Sequence, residues 1–244
     1  MGEQLLQVFA VATLTALATG LGALPLLLLP AIRPRAIGIG NALAAGLMLG
    51  ASFGLVLEGS ARGAWQVMAG AALGAALIAA GERWLRHRPV SFGALSGELA
   101  RPAVLVVSIM TIHSAAEGVA IGVCFGGGPN LAALLSVAIA VHNVPEGLAI
   151  SMVLRPRGAS VLRCAVWSVV SSLPQPLLAL PAFAFVEAFR AVLPYGLGFA
   201  AGAMVYLVFL ELLPEAYEQA YPPAVGLLAS LALAAMVVLQ SWLG

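Results

Sequence analysis

Long runs of apolar residues follow one another along the chain, separated only by short intervals rich in Pro, Gly and Arg. Eight such runs can be drawn, at approximately 5–29, 37–57, 63–82, 103–125, 131–154, 161–186, 194–213 and 223–243. A hydrocarbon core ~30 Å thick is crossed by roughly 20 helical residues, which is the length of each run. The runs are continuous, without the period-two alternation over ten-residue segments that marks a membrane β-barrel. The pattern therefore predicts an all-α integral membrane protein of eight transmembrane helices. It forms a single transmembrane domain over 1–244, with its longest loop at 83–102.

Composition supports this reading. Of 244 residues, 62% are hydrophobic and 9% charged, and the mean hydropathy is +1.05. A water-soluble domain carries about 25% charged residues, so too little polar surface exists here to cover one. All 11 bases are Arg and all 10 acids are Glu, a balance that supplies no basic stripe for nucleic acid. The expected surroundings are a lipid bilayer, and a homodimer within it is compatible with the pattern.

The position of each arginine then predicts orientation, because cytoplasmic loops carry the excess of basic residues. Nine fall on one side: Arg33, Arg35, Arg83, Arg86, Arg88, Arg101, Arg155, Arg157 and Arg163. Only Arg62 and Arg190 fall on the other. Both termini are expected to be extracytoplasmic and the protein multi-pass in the inner or plasma membrane. The opening Met-Gly-Glu lacks the basic region of a signal peptide, so the first run is expected to be retained as a helix. Trp65, Trp84, Trp167 and Trp242 lie near span ends, as an interfacial belt requires. Cys124 and Cys164 fall at opposite faces, which disfavours a disulfide between them.

Against so little charge, one pattern stands out. Span 4 contains His113-Ser114-Ala115-Ala116-Glu117-Gly118 and span 5 contains His142-Asn143-Val144-Pro145-Glu146-Gly147. Both read H-[SN]-x-x-E-G-x-A-I. Consecutive spans run in opposite directions, so the motif occurs twice with inverted topology, the arrangement that marks transporter sites near the midplane. At 1.5 Å per residue, both histidines lie roughly 16–20 Å below the outer surface. Within each helix His and Glu stand at i and i+4, on one face.

Intramembrane acids are costly, about 2.5–3.5 kcal/mol each on insertion scales, and mark function. Two imidazoles and two carboxylates at matching depth constitute a metal site by ligand set. They suit Zn²⁺, Fe²⁺ and Mn²⁺, and the absence of thiolates lets an ion leave as well as enter. Sequence does not rank Zn²⁺, Fe²⁺, Mn²⁺ and Cd²⁺. The ion is substrate, and no cofactor is expected.

Other features read more openly. Pro145 frees the Val141 carbonyl, which either faces the ion or water or marks a packing kink. Ser171-Ser172-Leu173-Pro174-Gln175-Pro176 predicts a broken sixth helix, with Gln175 either aimed at the site or joining helices. Ala44-Ala45-Gly46-Leu47-Met48 is echoed by Ala200-Ala201-Gly202-Ala203-Met204, which relates spans 1–3 to spans 6–8 as inverted repeats around the 4–5 hairpin. Gly46, Gly50 and Gly54 form a face for close helix contact. Met48 offers a thioether to the ion path or fills the core. Glu211 and Glu215 read either as an exit relay or as a solvated helix end, and His87 stands in the loop without a histidine cluster.

At His142–Gly147, His113–Gly118, Ala44–Phe53 and Glu211–Glu215 the chain resembles the ZIP family of divalent-metal transporters, particularly its bacterial branch. The resemblance covers nearly the whole chain. It implies a 3+2+3 helix arrangement and uptake of Zn²⁺ or related ions through a primary site of His113, Glu117, His142 and Glu146. It also implies a place for Gln175 where a glutamate often bridges two metals. Ser114 stands where the family often has Asn, and Asn143 where some members have an acid. With those neutral residues, one well-formed metal site is expected and a second would be weak. An intramembrane metal-dependent hydrolase and a His/Glu proton channel are the alternatives from other classes. The ligand spacing HxxxE and the inverted symmetry favour transport, and no enzymatic activity is expected.

Overall fold

A computed structural model describes residues 2–28, 33–86 and 101–243. His87 and most of the expected loop 83–102 lie outside the described residues. Among those described there is no strand. The helices are α1 (Gly2–Leu21), the single turn α2 (Pro25–Leu28), α3 (Pro34–Arg86), α4 (Arg101–Gly127), α5 (Pro129–Leu154) and α6 (Val161–Ser171). They continue with α7 (Pro174–Ala188), α8 (Leu193–Leu207), α9 (Leu213–Gln219) and α10 (Pro222–Leu243). Among the described residues, seven helical stretches are long and apolar enough to cross a membrane.

Spans 2 and 3 differ from expectation. The interval 58–62, read from its polar residues as a loop, is helical, and α3 continues through it to a break at Gly63 (φ 174°, ψ 95°). Glu58 and Arg62 stand one helical turn apart, with Arg62 Nη2 at 2.5 Å from Glu58 Oε1. The charges that suggested a loop thus satisfy each other along the helix, and the turn contracts to one residue. The chain does change direction there. Gly59 and Val67 would be ~12 Å apart along a straight helix, yet Val67 Cγ2 occupies the space beside Gly59, 2.6 Å from where a Cβ would stand.

Four pairs of helices pack closely in parallel. Thr15 meets Asn143, and Thr19 meets Gly147, so α1 lies along α5. Gly118 meets Gln175 and Gly122 meets Ala179, so α4 lies along α7. The first arm of α3 follows α10 through Gly46 against Ala229, and the second arm follows α8 through Ala71 against Gly202. Lipid supplies little hydrophobic drive between helices, so small residues that let backbones touch provide the association.

These pairs obey one exchange. Swapping α4 with α5, α1 with α6–α7, the first arm of α3 with α8 and its second arm with α10 returns the same set of contacts. Gly46 on Ala229 becomes Gly202 on Ala71, which is the structural content of the Ala44–Met48 and Ala200–Met204 echo.

The main core lies where α3, α4, α5, α7 and α8 converge, and Met48, Leu55, Ile121, Leu135, Ile139, Leu197 and Met204 are fully buried in it. Large apolar side chains face outward on many helices, including Leu14, Leu73, Leu162, Leu177, Phe209, Leu227 and Trp242. Such a surface has no place in water and suits lipid.

Candidate metal centre

Four side chains meet deep inside this bundle. His113 and Glu117 project from successive turns of α4, and His142 and Glu146 from successive turns of α5. One ligand atom from each lies within 4.8 Å of the others. The histidines are 2% exposed, Glu117 0% and Glu146 4%.

Both imidazoles converge on one oxygen. His113 Nε2 lies 3.4 Å from Glu117 Oε1, and His142 Nε2 meets the same atom from the other helix. The rings are 5.9 Å apart at 60°. His142 Nδ1 is 3.2 Å from the Ala138 carbonyl, one turn earlier. Donation of the Nδ1 proton to that carbonyl leaves the Nε2 lone pair facing the cluster, the tautomer a metal ligand needs.

Buried polar atoms are almost always hydrogen-bonded, yet both oxygens of Glu146 and both ring nitrogens of His113 have no hydrogen-bond partner among the described residues. Two carboxylates carry a charge of −2 when the imidazoles are neutral. A single divalent cation matches that charge and would supply the missing partner to the convergent lone pairs.

Gln175 reaches the cluster through Glu117. α6 ends at Ser171 and α7 begins at Pro174, and this break turns the carboxamide inward so that Nε2 donates to Glu117 Oε2 at 2.5 Å. Asn143, beside His142, turns away from the centre and donates to the Thr15 carbonyl at 2.7 Å. Ser114 is fully buried beside His113 but lies outside the four-residue group. Met48 packs in the apolar core between Ala44 and Ala51. Glu215 accepts from Asn41 at 3.0 Å and Gln219 at 2.9 Å, so it is tied into a polar contact between α3 and α9. Glu211 falls in a single π turn, Val208–Leu212.

Sequence reasoning passed over Thr15 and Thr19. Thr15 Oγ1 lies 2.8 Å from Gln175 Oε1, and Thr19 Oγ1 lies 2.8 Å from Ser172 Oγ. Their i, i+4 spacing on the first span was the available signal. Both glutamates are members of the cluster, so the hydrolase alternative, which needs a carboxylate held back as general base, finds no support. Cys124 and Cys164 are buried and free.

Comparison with known proteins gives a consistent picture. A family model described as ZIP Zinc transporter matches residues 91–240. A putative zinc transporter of Arabidopsis thaliana is 44% identical over 236 residues, covering 93% of this chain but only 37% of the plant protein's own length. The zinc transporter GufA of Myxococcus xanthus is 34% identical over 215 residues, covering 82% of this chain and 85% of GufA. The zinc transporter ZIPB of Bordetella bronchiseptica is 37% identical over 243 residues, covering 93% and 78% of the two chains.

Proposed function

This chain belongs to the ZIP family of zinc transporters, and we propose that it carries divalent transition-metal ions, zinc foremost, across the inner or plasma membrane into the cytoplasm. The ion binds between α4 and α5, held by His113 and His142 through Nε2 and by Glu117 and Glu146 through carboxylate oxygens. The observation that carries this reading is the convergence of four ligand atoms within 4.8 Å in a buried position. An imidazole and carboxylate set suits zinc and does not by itself exclude Fe²⁺, Mn²⁺ or Cd²⁺.

The membrane arrangement follows from the same elements. The described helix Pro34–Trp84 has 51 residues, ~75 Å if straight, against a core of ~30 Å. Counting its two arms as separate spans gives eight in all. The pairings support that count, because spans that alternate in direction can pack in parallel only when both are odd or both even, and each of the four pairs satisfies this. Nine of eleven arginines on one side support an orientation with both termini outside the cytoplasm.

Zinc flux into proteoliposomes tests the assignment. His142→Ala and Glu146→Ala each remove a ligand and are expected to cut flux about 100-fold or more, since losing even an outer-shell partner of a metal costs 10–100-fold. Flux at the unmutated rate in both variants would move transport to another part of the molecule.

A further inference from the structure

The exchange that relates α4 to α5 also carries the residue packed against Gly118, which is Gln175, onto the residue packed against Gly147, which is Thr19. At this place the two halves hold different chemistry. Gln175 donates to Glu117 Oε2 at 2.5 Å. Thr19 instead turns its hydroxyl to Ser172 Oγ at 2.8 Å, and neither oxygen of Glu146 receives a hydrogen bond among the described residues.

The orientation of Gln175 is determined from both ends. A carboxylate only accepts, so the amide must present its N–H₂ end to Glu117. On the far side Gln175 Oε1 faces Asn143 Nδ2 at 3.4 Å and Thr15 Oγ1 at 2.8 Å, whose single proton is shared between this oxygen and the Ala12 carbonyl at 2.9 Å. Thr15 and Gln175 are 3% and 0% exposed, so water offers no substitute for these contacts. Meanwhile both histidine Nε2 atoms converge on the other oxygen of Glu117, Oε1.

We propose that Gln175, held by Thr15 and Asn143, is a positioning residue that determines metal preference. By engaging Oε2 it keeps Glu117 a one-oxygen ligand. Resting on the metal-centre reading above, the centre then offers His113 Nε2, His142 Nε2, Glu117 Oε1 and one or two oxygens of Glu146. The protein would thus supply four or five ligand atoms. Zn²⁺ and Co²⁺ accept such a set, whereas Mn²⁺ favours six oxygen-rich positions. The asymmetry between Gln175 and Thr19 thus makes Glu117 the rigid carboxylate and Glu146 the adaptable one.

Co²⁺ binding to the purified full-length protein tests this, because four-coordinate Co²⁺ absorbs visible light far more strongly than six-coordinate Co²⁺. The unmutated protein is expected to give an intense band that His142→Ala abolishes. Gln175→Met keeps the volume but cannot donate. It is expected to retain bound Co²⁺ with a several-fold weaker band, and to shift the Mn²⁺ to Zn²⁺ affinity ratio about tenfold toward Mn²⁺, the low end of outer-shell effects. Thr15→Val acts one bond further away and is expected to move both readouts in the same direction by less. It carries the test if Gln175→Met does not fold. Unmutated spectra and affinity ratios in whichever variants fold would overturn the role of Gln175 while leaving the metal centre standing. Absence of any His142-dependent Co²⁺ band in the unmutated protein would instead overturn the metal centre itself.

Discussion

Two seams hold this molecule together, and they do so by different physics. Between α1, α5 and the broken α6–α7, close backbone approach at Gly22 and Gly147 is joined by hydrogen bonds: Thr15 to Gln175, Thr19 to Ser172, Asn143 to the Thr15 carbonyl, and Ser168 to the Gly147 carbonyl. Between the arms of α3 and helices α8 and α10, the contact is steric. Backbone approaches backbone at Gly46, Gly70, Gly74, Gly198 and Gly202, with Gln240 Nε2 donating to the Gly50 carbonyl at 3.0 Å at one end of the α3–α10 contact. In lipid both devices bring helices together, one through hydrogen bonds and the other through dispersion at close range. The difference is in what each seam is attached to. The polar seam ends on Glu117 and therefore shapes the ion site, whereas the glycine seam only sets how the helices stand.

If that division is right, the largest effect should come from filling the glycine seam. A valine at Gly202 places its Cβ against the Ala71 carbonyl, and one at Gly46 against the Ala229 carbonyl. Overpacking typically costs about 1–3 kcal/mol and more against rigid backbone. Both Gly202→Val and Gly46→Val are expected at the top of that range, measured as loss of folded protein or a lowered thermal midpoint in detergent. Similar losses in the two variants would show that the inverted repeat is energetic as well as geometric. A large loss in one alone would break the symmetry argument.

A smaller effect is expected in the polar seam away from Glu117. Thr19→Val removes the hydroxyl contact with Ser172, and interhelical hydrogen bonds in membranes average about 0.6 kcal/mol with a maximum near 1.7. Stability should fall by about that amount while the metal affinity ratio stays unchanged, because Thr19 does not touch a ligand. A changed ratio in Thr19→Val would mean that the whole seam, and not Gln175 alone, shapes the site.

The smallest effect is expected outside both seams. Glu58 and Arg62 pair across one helical turn, with side chains 41% and 45% exposed. Exposed ion pairs contribute about 0–1 kcal/mol, so Arg62→Ala should leave thermal stability within roughly 0.5 kcal/mol of the parent. A greater loss would show that the pair holds the reversal at Gly63, making that turn a third structural seam.

Much of the site was readable because it is written twice. A single His and Glu at i, i+4 is ambiguous, but the repetition in adjacent spans of opposite direction leaves one arrangement in which both pairs share depth. The break before Gln175 was readable for a local reason, since Pro174 and Pro176 interrupt the helical hydrogen-bond ladder regardless of surroundings. Thr15 offered only its four-residue spacing from Thr19, which does not separate it from other threonines. Thr13, two residues earlier, bonds its own helix at the Phe9 carbonyl, 2.7 Å away, as any threonine in an apolar helix can do. Only the neighbouring α7 distinguishes the two. The polar interval 58–62 misled for a related reason: charges four residues apart are equally consistent with a loop and with a helix face.

By itself, the sequence determined the membrane class, the approximate helices and the members of the His/Glu cluster, because each depends on composition or on spacing within a single segment. The tertiary structure decided which oxygen of Glu117 faces the histidines, which way the Gln175 amide points, and that its partner under the inverted symmetry is a threonine turned elsewhere. Those are properties of atoms on different helices. Their directions are fixed by packing between residues as far apart in the chain as Thr15 and Gln175.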